Sequence, residues 1–205
     1  FLFGADIDVR TNDNDEITGL NTANGRLIIL TNDSVHALAG SGAIAATGAP
    51  DYQVEAIAVG VGNIAAMGHQ TIGQFCYFTG KEGVYRTNGG AVDLVPMSRP
   101  VERLWRDRVA VGTADLWRSV HDRKDSRYIL SVVLHNGDRA AFVYDYVHQA
   151  WSVWGRLPTT SNDGPPLDAL GLYEGFDGWQ VWGARVGSVE RMGAGTTDGE
   201  TLTGS

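Results

Sequence analysis

The chain of 205 residues holds one cysteine, Cys76, so no internal disulfide framework can staple it. No apolar run is long enough for a membrane span. The most apolar stretch, Val54 to Gly68, is short and broken by Gly60 and Gly62. No basic start precedes an apolar segment, so no signal peptide is read. Basic residues are outnumbered, 16 Lys and Arg against 24 Asp and Glu, for a net charge of −8. That balance excludes a general nucleic-acid binder, which needs a clustered positive surface to neutralise phosphates. The five histidines (His36, His69, His121, His135 and His148) have no partner two or four residues away, so a zinc site would have to assemble from distant segments. Proline is scarce, at 6 residues, which separates the chain from low-complexity sequences despite its glycine.

Glycine is what the sequence has in excess: 27 residues, about twice ordinary usage. Many glycines among many Trp and Tyr point to tight turns between packed strands. Six Asn-Gly or Asp-Gly pairs mark such turns, at Asn24-Gly25, Asn88-Gly89, Asn136-Gly137, Asp163-Gly164, Asp177-Gly178 and Asp198-Gly199. Both members tolerate the positive φ that two-residue hairpins demand. The runs beside them are short and rich in β-branched or aromatic residues, as strands prefer: Arg26–Leu30, Gln74–Phe78, Tyr128–Leu134 and Ala140–Tyr144.

These runs recur. The segment from Leu27 to Leu38 and the segment from Phe75 to Arg86 both read strand, polar turn, strand, and they align Val35 with Val84, 49 residues apart. A longer version runs from Tyr128 to Trp154, and a fourth from Leu172 to Arg191 brings Val189 into line. A period of about 45–50 residues with four short strands per unit is that of propeller blades. The expected fold is therefore all-β and propeller-like, about four blades or part of a larger propeller, with a short helical insertion. A β-sandwich with hairpins of similar length is the alternative. Residues 1–205 are expected to form one propeller region. The start at Phe1-Leu2-Phe3, as though inside a strand, and a tail with almost no apolar residues suggest a piece of a longer polypeptide. Trp151 and Trp154 lie three apart, so sharing one core would require a bend between them.

One stretch leaves the strand pattern. Val101, Leu104, Trp105 and Arg108 stand at helical spacing behind Pro100, a residue suited to a first turn. A second short helix is expected over Ala114–Val120. The whole span 99–127 reads as an Arg/Trp-rich insertion between blades, on their rim. It carries eight of the 16 basic residues against five acids, a net of +3, which leaves −11 for the remainder. Arginine and tryptophan are enriched at interface hot spots. Arg103, Trp105, Arg106, Arg108 and Trp117 are therefore the candidate subunit interface. A solvated, ion-paired face and a DNA contact are the other readings.

No catalytic, cofactor-binding or metal-binding residues can be assigned, and no cofactor is expected. Neither a nucleophile elbow nor a phosphate loop is present in the sequence. Cys76 sits inside an apolar strand, where a buried inert thiol is expected. The acidic group Asp6, Asp8, Asp13, Asp15 and Glu16 misses the spacing and the glycine of a calcium loop, so it reads as a solvated loop. Asp177-Gly178-Trp179 lacks the preceding serine and the spacing of a sialidase Asp box. Asn32-Asp33-Ser34 has the form of a glycosylation sequon, which carries weight only in a secreted chain.

Three stretches carry a family likeness. The series from Gly25 to Gly40, with Asn32-Asp33-Ser34-Val35-His36 at its centre, resembles a "strand, Asp-Ser, strand, Gly" blade. Phe78-Thr79-Gly80 followed by Gly83-Val84-Tyr85 is similar to the strand pair that follows it. Val143-Tyr144-Asp145 leading to Trp151-Ser152-Val153-Trp154 is similar to that family's blade end. The family is that of the β-propeller tail nozzle, or tail tubular, proteins and related packaged-DNA stabilisation factors of short-tailed bacteriophages. The likeness covers Gly19 to Asp198, in short motifs shared among propellers. The family is typically longer than this chain. The resemblance implies a virion structural protein with no catalytic residues, located in the tail and, during assembly, in the host cytoplasm. It implies partners too: copies of itself in a ring, a hexamer, the portal or adaptor proteins, and double-stranded DNA passing through the lumen without sequence-specific contact. An acidic remainder suits a conduit, since like charge lets the polymer slide.

Two other classes fit a propeller of this composition. One is a carbohydrate-binding or carbohydrate-processing propeller, which would show a Trp-lined pocket with two convergent carboxylates. The other is an interaction scaffold of the kelch type.

Overall fold

The computed structural model describes residues 15–41, 43, 51–93, 96–155, 169–175, 178–185, 188–192 and 200–201. The fold is all-β, and among the described residues one short α-helix and four antiparallel sheets follow one another along the chain. Two compact units divide it, residues 1–97 and 98–205. Asp6, Asp8, Asp13, Asp163-Gly164 and Asp198-Gly199 lie outside the described residues.

In the first unit, β1 (Ile17–Ala23), β2 (Arg26–Thr31), β3 (Ser34–Ala39) and β4 (Gln53–Val59) form a four-stranded meander in chain order. Asn24 and Gly25 make the β1–β2 hairpin with φ of 48° and 76°, the doubly positive turn expected of the pair. A second meander joins β5 (Gln70–Ile72), β6 (Phe75–Gly80) and β7 (Gly83–Thr87), with a single bridge from Thr87 to Val92 beyond it. Val35 and Val84 each stand second in their strand, β3 and β7, as the 49-residue offset requires. Alternate residues of the two sheets face each other. Ile28 and Leu30, Val35 and Ala37, and Cys76 and Phe78 make one core, with Tyr85 stacked on Phe78 at 5.7 Å.

In the second unit, β8 (Arg118–Asp122), β9 (Arg127–Val133), β10 (Arg139–Asp145) and β11 (Ala150–Gly155) form another meander. The fourth sheet is built from β12 (Ala169–Gly175), β13 (Gly178–Arg185), β14 (Ser188–Arg191) and β15 (Glu200–Thr201). Val189 does stand second in β14, but it is half exposed rather than buried like its counterparts. Strand β10 is buried on both faces. Its odd residues, Ala141 and Val143, pack with Val120 and Ile129 against Val181 of β13.

The other face of β10 meets the helix. A 3-10 turn at Arg99–Val101 leads into α1 (Glu102–Arg108), with Pro100 in the turn's first positions. Trp105 of α1 lies edge-on to Phe142 of β10 at 5.1 Å and to Trp117 at 5.6 Å. The span 99–127 is thus not a rim insertion. Its first half covers a sheet face, and its second half supplies β8 and the β8–β9 loop. The helix expected over Ala114–Val120 is also displaced. A 3-10 segment occupies Val111–Leu116, and Arg118 already begins β8. Of the four residues set at helical spacing, only Trp105 is buried; Val101, just before the helix, is half-buried, and Leu104 and Arg108 are exposed.

The two tryptophans of β11 separate as well. The β10–β11 register is one-to-one from Asp145↔Ala150 to Ala140↔Gly155, so no bend falls between them. Trp151 pairs with Tyr144, its ring 5.0 Å away, while Trp154 joins the opposite core beside Ala141. Residues three apart on a regular strand point to opposite faces.

The aromatic stack under α1 is the element most costly to lose. Trp105 is 2% exposed and fills the space between Phe142 and Trp117. Trp105→Ala should cost about 3–5 kcal/mol, against well under half of that for Leu104→Ala on the same helix. The urea midpoints of the two variants check this; equal midpoints would contradict the placement of Trp105.

Candidate functional site

The expected interface residues do not form one surface. Trp105 and Trp117 are core residues, and Trp117 is 0% exposed with its indole N–H donated to Thr113 Oγ1 at 3.2 Å. Tryptophans committed to a core cannot anchor a partner. The arginines are the part of the set that faces solvent. Arg103 and Arg106 both approach Asp107, through their Nε atoms at 3.6 and 3.3 Å, and Arg108 is exposed beside them. Such exposed pairs contribute about 0–1 kcal/mol each, too little to hold the helix.

In the first unit, polar chemistry gathers at the β2–β3 turn. Asp15 reaches across and accepts the Asp33 amide at 3.1 Å, the Thr31 hydroxyl, and the Ser34 hydroxyl at 3.2 Å. Burial pushes this carboxyl up, but the hydrogen bonds outweigh it and hold the group below its usual range. Ser34 Oγ lies 2.8 Å from His36 Nε2, and both side chains are buried. Burial holds the His36 ring below its ordinary value near 6.5, against the opposing pull of Asp15. Serine, histidine and aspartate thus meet, but in the wrong order for a nucleophile. The carboxylate binds the serine rather than orienting the imidazole, and the hydroxyl is closed off from solvent. The arrangement locks a turn. Asp15 belongs to the acidic group that the sequence presents as a solvated loop. Nothing in local spacing signals a carboxylate reaching 18 residues onward.

A second junction in this unit lies on the segment between β4 and β5. Asn63, 0% exposed, donates its backbone N–H to Thr31 O at 2.7 Å and its side-chain amide to Ala65 O at 2.9 Å. Its side-chain oxygen accepts the Thr79 amide at 3.2 Å, and its carbonyl accepts the Thr18 hydroxyl at 2.7 Å. One residue therefore ties β1, β2 and β6. The neighbouring Gly62 permits the approach, because a Cβ there would run into the Thr31 carbonyl. Cys76 is buried, and desolvation pushes its thiol up to about 12, which makes it unreactive.

The second unit carries a matched pair of loops. Asp122 ends β8 and accepts the amides of Lys124 and Asp125 at 3.1 and 3.3 Å, before Ser126 turns to φ 58°. Asp145 ends β10 and accepts the amides of Val147 and His148 at 3.0 and 2.9 Å, before Gln149 turns to φ 53°. The loops touch, the Tyr146 amide donating to Ser126 O at 3.1 Å and His121 Nε2 lying 3.1 Å from the Tyr146 hydroxyl. His148 adds its ring to Asp145 at 2.8 Å. The two carboxyls differ in environment. Burial raises Asp122 above its usual range, whereas the His148 amide and ring lower the half-buried Asp145. Aspartate four residues before a left-handed Ser or Gln is the signal that could have revealed these loops.

Among the described residues, no three His, Cys, Asp or Glu side chains converge on a point where a metal ion could sit. No helix is long and apolar enough to cross a membrane among them either. No protein-family model matches the chain, and no curated protein sequence does.

The buried His36 and the half-buried His69 and His121 set a pH dependence. His36, His69 and His121 are all held below their ordinary value near 6.5, chiefly by burial. The unfolded chain therefore binds protons that the folded chain refuses, and stability falls as pH drops below about 6.5. Asp15 and Asp145, with folded values below the usual one, add a separate loss below about pH 4, while Asp122 acts with the opposite sign. The urea midpoint should fall between pH 7 and 5, and His36→Gln should flatten that slope; a level profile would show that these rings titrate freely.

Proposed function

We propose that this chain is a structural protein of the tail of a short-tailed bacteriophage, part of the nozzle below the portal that forms or closes the DNA conduit. It acts by assembly, without turnover. One observation carries this reading: the segments that bear the family likeness are the segments that build the sheets. Asn32-Asp33-Ser34 is the locked turn of β2–β3, Phe78 to Tyr85 spans the β6–β7 hairpin, and Tyr144-Asp145 to Trp154 spans β10–β11. Four meanders in chain order suit a propeller, in which each blade is one such sheet.

The charge supports the same role. At −8 the chain repels phosphates, so double-stranded DNA would pass a ring of such subunits without sequence-specific contact. Its other partners would be identical copies, six to a ring, and the portal or adaptor proteins of the tail. During assembly it would reside in the host cytoplasm. Electron micrographs of the purified full-length chain should show closed rings with a channel wide enough for a DNA duplex. A monodisperse monomer that cleaves a polysaccharide would overturn the reading.

A further inference from the structure

One side of α1 is exposed to solvent. Trp105 is the helix's one buried residue, and the opposite side presents Arg103, Arg106, Asp107 and the half-exposed Leu104, with Arg108 one turn on. The Arg103 side chain is 90% exposed and that of Arg106 68%. Two guanidinium groups share the single carboxylate of Asp107, each approaching it through Nε. A planar guanidinium end is shaped to take a second carboxylate through two parallel hydrogen bonds.

The complement is present on the same polypeptide. Residues 1–97 carry ten acids against four basic residues, a net of −6. Two of those basic groups are already taken, Lys81 by Asp33 at 2.5 Å and Arg26 by Glu55 at 2.6 Å. Glu16, Glu82 and Asp93 remain exposed. We infer that the arginine side of α1 docks on the acidic first unit of a second copy of this chain, head to tail. This rests on the ring reading above and names the contact that would build the ring. A contact between two different patches of identical subunits is heterologous, the kind that closes rings. Leu104 supplies an apolar centre with charged residues around it, as protein interfaces have, whereas a phosphate backbone would find Glu102 and Asp107 interleaved with the arginines.

The test is sedimentation of the full-length chain over a range of protein and salt concentrations. The wild type should assemble, and less readily as salt rises. Arg103→Glu, Arg106→Glu and Arg108→Glu together should raise the concentration for half-assembly by on the order of 100-fold or more, with an unchanged melting temperature because these groups lie outside the core. Asp107→Asn removes the carboxylate that the arginines already share, and it should shift assembly to lower concentration. A wild type that stays monomeric throughout would overturn the ring reading and this contact with it. Wild-type assembly matched by the triple variant at the same concentration, or loosened by Asp107→Asn, would overturn the contact alone.

Discussion

A strand that is apolar on both faces must be covered twice, and most of this architecture answers that requirement. In β10 every residue from Ala140 to Tyr144 is buried, and in β6 every residue from Cys76 to Gly80. Backbone hydrogen bonds satisfy such strands edgewise, but each face needs its own layer before burial becomes favourable. The fourth sheet covers one face of β10 through Val181, and α1 covers the other through Trp105. In the first unit the β1–β4 meander covers one face of β6, and Asn63 fastens the intervening segment to its Thr79.

Polar groups sit where this layering is interrupted. Asn63 spends its side chain and both backbone groups on neighbours, so a buried amide carries little desolvation penalty. Asp15, Asp122 and Asp145 do the same work at turns, each taking backbone N–H groups that have no ladder partner. The mixed directions of their pKa shifts follow from depth. Asp122 is buried enough for desolvation to win, while Asp15 and Asp145 are wet enough for hydrogen bonds to win.

What the sequence makes legible is what depends on local chemistry. Asn24-Gly25 announces its hairpin because few other pairs accept two positive φ values, and the runs from Arg26 and Tyr128 announce strands. Blade-like repetition follows from Val35 and Val84 at a fixed offset. Longer-range matters stay hidden. Helical spacing around Trp105 shows that a helix exists but not that a sheet face lies beneath it, so the tryptophans look available to a partner when they are core. The spacing of Trp151 and Trp154 is silent on whether β11 is regular, and regularity decides which faces they join. Arg103 and Arg106 are legible as a cluster, whereas their sharing of Asp107 is a matter of rotamer and geometry.

The paired loops of the second unit separate shape from surface. In each, the carboxylate at the strand's end takes backbone N–H groups and one left-handed residue closes the turn, and in the second loop the His148 ring and the Tyr146 hydroxyl add side-chain contacts. The exposed side chains of Lys124 and Val147 therefore occupy positions where evolution can exchange one side chain for another at little structural risk. Related chains could diversify along this lip, matching different neighbours, while Asp122 and Asp145 keep the sheet beneath in register.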